Sequence, residues 1–196
     1  MASSKKLAGS SRQRLERQDW VSEALQALAV GGLAALSVER LAGELGATKG
    51  SFYWHFKDRA DLVEATLAEW ERRDTDRLIE RASTIDDPRD RLRWLFSIVF
   101  SESAGVAIDT ALLADADSPV VAEALERAAT KRLRFIEAQF KEIGLGAVSD
   151  RAMLTYTAFV GLAQLRRASP NLTLQGRRAT RYISNITEWL IGDEPG

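Results

Sequence analysis

Apolar residues recur along most of the chain at intervals of three and four positions, the spacing that places them on one face of an α-helix. The spacing predicts a first helix over about Arg17–Val30, with Trp20, Ala24, Ala27 and Leu28 on one face. No strand is predicted. With 45% hydrophobic residues in 196, the chain can bury a sizeable core. The pattern therefore indicates an all-α fold.

Prolines and glycines divide the rest of the chain into further helices. Asp87-Pro88 and Ser118-Pro119 each place a capping side chain before a proline at the first helical position, so each predicts a helix start. Pro170 separates the last two helices. Together with two short helices between Ser37 and Lys57, the prediction is about nine helices, the others being Asp58–Ala82, Arg89–Ser103, Val106–Ala114, Pro119–Ile143, Arg151–Arg167 and Arg177–Ile191.

The segment 37–61 is typical of a helix-turn-helix, the motif that places its second helix in the DNA major groove. Ser37 can cap the first helix, and Gly46 can end it in a left-handed conformation. Thr48 then starts the second helix. Phe52 and Phe56, four residues apart, can both face the core. The core-facing stripe of the first helix consists of Val38, Leu41, Ala42 and Leu45.

Hydrogen-bonding side chains are left on the outer face of the second helix. Tyr53, Trp54, His55 and Lys57 carry donors that suit phosphate oxygens. The residues near the start of that helix are candidates for base edges, since a lysine there can donate to guanine and a glycine allows close approach; they are Lys49, Gly50 and Ser51. The alternative is a surface helix whose aromatic residues pack against a neighbour.

The charge is unevenly distributed, although the whole chain carries only −1. Residues 1–57 hold eight Lys/Arg and five Asp/Glu, a net +3, whereas residues 58–196 hold nineteen and twenty-three, a net −4. Positive charge therefore lies on the part with the motif, as expected for attraction to phosphates. The first 16 residues are predicted to form a basic, flexible arm, which either follows the DNA or is simply a solvated tail.

Enzyme chemistry has few candidates. There is no cysteine, and His55, the only histidine, lies in the DNA motif. A metal site built from Asp109, Asp115, Asp117 and Glu123 is a weak hypothesis, because Asp115 and Asp117 precede Ser118-Pro119, where acidic residues favour the positive N-terminus of the next helix. The sequence predicts no enzyme activity, no cofactor and no metal. It also lacks an apolar leader and a membrane-spanning run, so a cytoplasmic location without membrane contact is expected.

The segment from about Arg17 to Leu67 resembles the DNA-binding domain of the tetracycline-repressor (TetR) family. The resemblance rests on Gly31-Gly32, Ser37-Val38-x-x-Leu41-Ala42, Leu45–Ser51 and Tyr53-Trp54-His55-Phe56-Lys57. It implies a DNA-binding domain at 17–67 and an effector-binding and dimerisation domain at 68–196. The family's founding repressor has a base-reading arginine early in the first motif helix, where this chain has Glu39.

The resemblance also implies a role for each motif residue. The residues expected to contact phosphates are Ser37, Tyr53, His55 and Lys57. Those expected to contact bases or adjacent phosphates are Thr48, Lys49, Gly50 and Ser51, with Trp54 on the groove wall.

The predicted helix Arg151–Arg167 is apolar around most of its circumference, and Arg177–Ile191 adds an apolar stripe. We expect two such helices from each subunit to form a four-helix homodimer interface with two-fold symmetry. The TetR resemblance implies the same four-helix arrangement. The alternative is an ordinary core within one chain. The expected interface residues are Tyr156, Val160, Gly161, Ala163, Gln164, Tyr182, Ile183, Ile186, Trp189 and Leu190.

The middle helices carry candidates for an effector pocket, although the same residues would suit a core. The expected effector is a small apolar or aromatic molecule, with Tyr156 as a polar contact and Arg93 and Gln164 as weaker ones. The candidate wall residues are Trp94, Ile98, Phe100, Leu112, Phe135, Tyr156 and Phe159.

The predicted function is a dimeric transcriptional regulator, a repressor that a small molecule releases from palindromic double-stranded operator DNA. The alternative is a DNA-binding architectural protein that responds to no ligand. The two differ in whether a small molecule changes the affinity for DNA.

Overall fold

A computed structural model describes residues 15–100, 104–169, 171 and 176–192, and in these ranges the chain is helical without strands. This agrees with the all-α prediction. The elements are α1 Arg17–Gly31, a 3₁₀ turn Gly32–Ala35, α2 Val38–Glu44, α3 Lys49–Tyr53, α4 Arg59–Glu71, a π segment Arg72–Asp76, α5 Arg77–Ala82, α6 Pro88–Val99, α7 Ala104–Ala114, α8 Pro119–Ile143, α9 Val148–Ala168 and α10 Gly176–Ile191.

The helix α4, the π segment and α5 form one continuous rod, because the backbone keeps helical angles at both junctions. Counting this rod once, the described residues form nine helices. The sequence predicted one helix over this whole range. The π segment, a local widening of the helical turn, was not predicted.

Local chemistry explains where several helices begin and end. The Asp87 carboxylate accepts from the backbone N–H groups of Arg89 and Asp90, at 2.8 and 3.0 Å, and starts α6 ahead of Pro88. Ser118 precedes α8 without a side-chain capping bond, so for this helix only the proline part of the predicted start is observed. Gly144 ends α8 in the left-handed conformation, with φ +86°.

The first hydrophobic core lies around α1 to α4 and extends into two later helices. Trp20, Leu28, Phe52 and Phe56 are buried here. Ile108, Leu112 and Val121 belong to the same core, because α7 packs along α1 and the start of α8 packs near α4. The amino-terminal helices therefore share their core with α7 and α8.

A second core lies among α6, α8, α9 and α10. Its buried residues include Leu92, Phe96, Phe100, Ile136 and Phe140. The helix α8 packs on both α6 and α9, and α10 covers α6. This arrangement surrounds an internal space next to the π segment.

Some predicted boundaries differ from the structure. The helix α6 ends at Val99, not at Ser103, and α9 begins at Val148, three residues before Arg151. Pro170 and residues 1–14 of the predicted arm lie outside the described residues. Glu16, assigned to the arm, precedes α1 directly, and its N–H donates to Asp19 Oδ2 at 2.7 Å. Of the helices in the described ranges, none has the length and hydrophobicity needed to cross a bilayer.

Candidate nucleic-acid interface and buried cavity

Two capped helices and a glycine turn form the predicted motif. Ser37 Oγ accepts from the N–H of Arg40 at 3.2 Å, and Thr48 Oγ1 accepts from the N–H of Ser51 at 3.1 Å. Gly46 has φ +60° after the end of α2, a conformation that glycine adopts without the steric cost of a Cβ. Both helix starts and the turn thus follow from local side-chain chemistry.

Aromatic packing holds α3 against the core. Phe52 and Phe56 are buried and stacked with their ring centroids 5.2 Å apart, and Trp20 meets Phe52 edge-on at 5.4 Å. Tyr53 and Trp54, by contrast, are 61% and 83% exposed. Because α3 is anchored from one side only, the opposite side presents these two large side chains to an external partner.

The other predicted DNA contacts also lie on or near this exposed surface. Thr48, Lys49, Gly50 and Lys57 are exposed, and Ser37, Ser51 and His55 are half-buried. At Gly50 the nearest atom to an added Cβ would be Thr48 Oγ1 at 3.6 Å, an ordinary contact. The chain itself therefore does not require glycine at this position.

An ion pair that the sequence did not predict joins the two motif helices. The Lys49 ammonium is bound by the Glu39 carboxylate on α2, and both side chains are more than half exposed. The hydrogen bond with Glu39 raises the pKa of Lys49, and the same bond lowers the pKa of Glu39. Glu39 thus occupies the lysine that was expected to reach a base.

Replacing Glu39 with glutamine should strengthen binding to any duplex, because it frees Lys49 and removes a negative charge from the motif surface. The slope of log affinity against log salt should steepen by about one, as for one added phosphate contact. Fluorescence anisotropy at several salt concentrations measures both effects. The matched control is Glu44→Gln, the same charge change at the end of α2. An equal or larger effect of the control would contradict the role of the ion pair.

Charged side chains fix the loop between α3 and α4. Asp58 Oδ1 accepts from the N–H of Asp61 at 2.9 Å, and Asp61 in turn accepts from the Lys57 N–H and from Arg17 Nη2, both at 3.0 Å. Arg59 donates to the carbonyl of Leu36 at 2.6 Å. The backbone at Lys57 is therefore held rigidly while its side chain stays exposed.

A cavity of about 330 Å³, partly open to solvent, lies between the rod and the second core. Its wall is mainly aliphatic and aromatic. Five of the seven predicted pocket residues line it, namely Ile98, Phe100, Phe135, Tyr156 and Phe159. Its other apolar wall residues are Leu78, Ile79, Leu95, Phe96, Val99 and Ile136.

Two predicted pocket residues lie elsewhere. Leu112 is buried in the first core, because α7 turns that side toward α1. Trp94 packs under Arg81, whose guanidinium carbon lies 5.3 Å from the ring centroid. Phe96, which is not among the predicted wall residues, lines the cavity. The weaker candidates Arg93 and Gln164 are not among the lining residues, and Arg93 pairs with Asp90 and Glu188.

A buried ion pair forms the polar end of the cavity. Arg132 Nη1 lies 3.1 Å from Asp109 Oδ2, and Trp70 Nε1 donates to Asp109 Oδ1 at 2.8 Å. Burial raises the pKa of the Asp109 carboxyl, while the guanidinium of Arg132 opposes that effect. Arg132 was missed by the sequence, because its partners lie far away along the chain.

The same guanidinium holds the π segment. Arg132 Nε donates to Thr75 Oγ1 at 2.9 Å, and Nη2 to the Asp74 carbonyl at 3.4 Å. Arg73, Asp74 and Thr75 all line the cavity. A molecule in the cavity would therefore touch the rod, whose first part, α4, follows the DNA motif.

The carboxylates of the metal hypothesis have other partners or lie apart. Asp109 pairs with Arg132, and Asp115 Oδ2 accepts from the N–H of Leu33 at 2.7 Å. Asp117 and Glu123 are exposed. Within the described ranges these side chains form no cluster that could hold a metal ion.

The predicted interface residues divide into outward and inward positions. Gly161 and Tyr182 are exposed, and Trp189 is 75% exposed. Ala163 and Leu190 are buried within the chain, and Tyr156 lines the cavity. The remaining predicted interface residues are half-buried, namely Val160, Gln164, Ile183 and Ile186. Three exposed apolar residues of α9 were not predicted, namely Met153, Leu154 and Leu165.

The motif and the helical body together define a helix-turn-helix DNA-binding regulator. Residues 21–66 match the model of the family described as bacterial regulatory proteins, tetR family. This segment is therefore a DNA-binding domain of the tetR family, and it spans about a quarter of the chain. No curated protein sequence gives a significant match to it.

Solved structures share the fold along nearly the whole chain. A TetR-family transcriptional regulator from Cytophaga hutchinsonii has a TM-score of 0.73 at 19% identity, over 96% of this chain and 99% of its own. A protein from Saccharomonospora viridis, described as a transcriptional regulator in complex with choline, has a TM-score of 0.75 at 16% identity, over 88% and 95%. AibR, in complex with isovaleryl coenzyme A and operator DNA, has a TM-score of 0.66 at 18% identity, over 91% and 100%.

Proposed function

We propose that this regulator is a homodimeric repressor that a small apolar or aromatic molecule releases from a palindromic operator. The observation that carries the proposal is the mainly apolar cavity whose polar end is hydrogen-bonded to the rod joining the body to the DNA motif. Related structures hold small molecules, and one of them also holds operator DNA. These relatives support a sensor role for the cavity.

The exposed side of the motif is the proposed DNA contact surface. Tyr53, His55 and Lys57 supply donors to phosphates, and Ser37 adds a hydroxyl at the start of α2. Trp54 lies along the groove wall. Base edges and adjacent phosphates are contacted by Thr48, Lys49, Gly50 and Ser51.

The exposed apolar faces of α9 and α10 are the proposed dimer interface. Leu154 and Trp189 are 60% and 75% exposed, and such surface on a small domain usually marks an interaction site. Exposed Gly161 permits a close approach of two helices. Pairing these helices around a two-fold axis would place two motifs at a fixed separation, which matches a palindromic site.

Coupling between the cavity and the DNA motif would pass through the rod. Trp70 at the end of α4 bonds Asp109, and Thr75 in the π segment bonds Arg132. A molecule that fills the cavity and shifts the side chain of Arg132 or Asp109 would loosen these attachments. The protein would then shift from the conformation that binds DNA to one that does not. The size of the shift is set by the difference in the molecule's affinity for the two conformations.

Replacing Lys57 with alanine tests the DNA surface. Affinity should fall to a similar extent for all duplex sequences, and the salt slope should decrease by about one, because one phosphate contact is lost. Lys141→Ala, which removes an exposed lysine at the end of α8, is the matched control. An unchanged salt slope for Lys57→Ala would count against a phosphate contact there.

The complete proposal is tested by selecting duplexes from a random pool with the purified protein. Selected sites should contain two inverted half-sites. Light scattering should show that the protein binds each site as a dimer. Small apolar compounds that raise the melting temperature should weaken this binding. A panel in which stabilising compounds leave operator affinity unchanged would favour the architectural alternative.

A further inference from the structure

The charges around the cavity cancel one another within the wall. Arg132 contacts both carboxylate oxygens of Asp109, at 3.1 and 3.3 Å, and Arg73 contacts both carboxylate oxygens of its neighbour Asp74 at 2.8 Å. These are the four charged residues of the lining, two of each sign. The cavity therefore has no net charge to offer a ligand.

The guanidinium of Arg132 has little capacity left for a new acceptor. Four of its five N–H groups are used by Thr75, the Asp74 carbonyl and the two oxygens of Asp109. Its positive charge also opposes the effect of burial, which raises the pKa of the nearby Tyr156 hydroxyl. An anionic ligand could bind Arg132 only by displacing Asp109, which would leave a buried carboxylate without its partner.

A cationic ligand is disfavoured for the complementary reason. Asp109 is bonded by Arg132 and by the Trp70 indole, so a new ammonium would have to displace one of them. The aromatic face of Phe159 already lies 6.0 Å from the Arg132 guanidinium carbon. Because two carboxylates and two guanidinium groups balance in the wall, an incoming ammonium would gain no net attraction to offset its loss of hydration.

Tyr156 is the polar group best placed for an uncharged ligand. Burial raises the pKa of its phenol, although Arg132 opposes this effect, so the hydroxyl keeps its proton at neutral pH. A protonated phenol can donate to a carbonyl or accept from a hydroxyl. The surrounding wall is formed by apolar side chains such as Leu95, Phe135 and Phe159.

We infer that the effector is an uncharged amphiphile, with an aliphatic or aromatic body and a single hydroxyl or carbonyl group that bonds Tyr156. This inference rests on the proposed effector role of the cavity and specifies its ligand class. A volume of about 330 Å³ lies at the small end of the usual range for ligand pockets, so the molecule is small. Carboxylates and amines of the same shape are rejected.

Matched triplets of compounds test this inference. One triplet is 4-phenylbutan-1-ol, 4-phenylbutanoate and 4-phenylbutylamine; two others carry the same three groups on an eight-carbon chain and on a naphthalene. Calorimetry and melting temperature report binding to the full-length protein, and anisotropy reports release of the selected operator. In each skeleton that binds, the alcohol should bind at least about tenfold more tightly than the acid or amine, because a charge would be buried unpaired.

Two variants link the preference to the named groups. The substitution Tyr156→Phe should weaken binding of the alcohol roughly three- to tenfold, because one hydrogen bond is lost. The variant protein should still bind butylbenzene, which has no polar group. Asp109→Asn leaves the Arg132 charge uncompensated and should move the preference toward the acid. If the second variant does not fold, the first still tests the assigned contact.

The outcomes separate the two proposals. Preferential binding of the acid or the amine to the unmodified protein would overturn the uncharged class while leaving an effector role intact. An alcohol affinity unchanged by Tyr156→Phe would overturn the assigned contact. Failure of every compound in every triplet to bind would count against the effector role of the cavity, and with it against this inference.

Discussion

Replacing Arg132 with methionine should lower the free energy of unfolding by about 3–5 kcal/mol, because the Asp109 carboxylate would stay buried without its ionic partner. The pair is largely shielded, with side-chain exposures of 14% for Arg132 and 8% for Asp109. Only the Trp70 indole would remain bonded to the carboxylate. Urea unfolding of the variant and the parent protein measures the difference.

The double variant Arg132→Met/Asp109→Asn is the control. Asparagine removes the negative charge and keeps a carbonyl oxygen for the Trp70 N–H. The bond from Arg132 to Thr75 is lost in both variants, so the difference between them isolates the unpaired charge. The double variant should recover most of the loss. If it is no more stable than the single variant, the carboxylate is not the source of the destabilisation.

The single variant should also gain stability relative to the parent protein as pH falls. Burial raises the Asp109 pKa and Arg132 lowers it, so removing Arg132 raises that pKa further above its unfolded value. The resulting stability is fully present below the unfolded pKa and is lost as pH rises through the folded pKa. The deficit measured in urea should therefore be largest at neutral pH.

Replacing Gly161 with glutamate should convert the proposed dimer to monomers and reduce operator affinity by more than about 100-fold, because the two motifs would no longer bind as one unit. The space around Gly161 is open, with no atom within 4 Å of an added Cβ. Glutamate is also a better helix former than glycine, so α9 itself should not be weakened. Light scattering and anisotropy measure the two effects.

Gly146→Glu is the matched control for this change. Gly146 lies between α8 and α9, has the same open surroundings and lies outside the proposed interface. The substitution should leave the mass of the protein in solution and its operator affinity unchanged. A Gly161→Glu protein that is still a dimer by light scattering would show that the interface lies elsewhere.

Helix boundaries set by local chemistry were predictable from the sequence. The bounds Pro119–Ile143 of α8 agree with the prediction, because a proline fixes the start and Gly144 the end. The motif helices follow Ser37, Gly46 and Thr48 for the same reason. The π segment was not predictable, since its surroundings include Arg132, 57 residues beyond Thr75.

The cavity was predictable only for its apolar part. Periodicity identifies which residues face inward, but not which of the two cores they join. Leu112 belongs to the first core, whereas the cavity borders the second. The polar end depends on side chains from the rod, α7 and α8 that meet only in the fold. Charged residues in amphipathic helices resemble solvated ones in sequence, so Arg132 and Asp109 carried no distinguishing pattern.

The contact between Asp115 and Leu33 has a mechanical consequence. Asp115 follows α7 and accepts from the backbone just after α1, while α7 itself packs along α1. This hydrogen bond and the packing join α7 to the helices of the DNA motif. A displacement of Asp109, which lies on α7, would therefore be transmitted to those helices, and in a two-fold symmetric dimer it would change the separation of the two α3 helices.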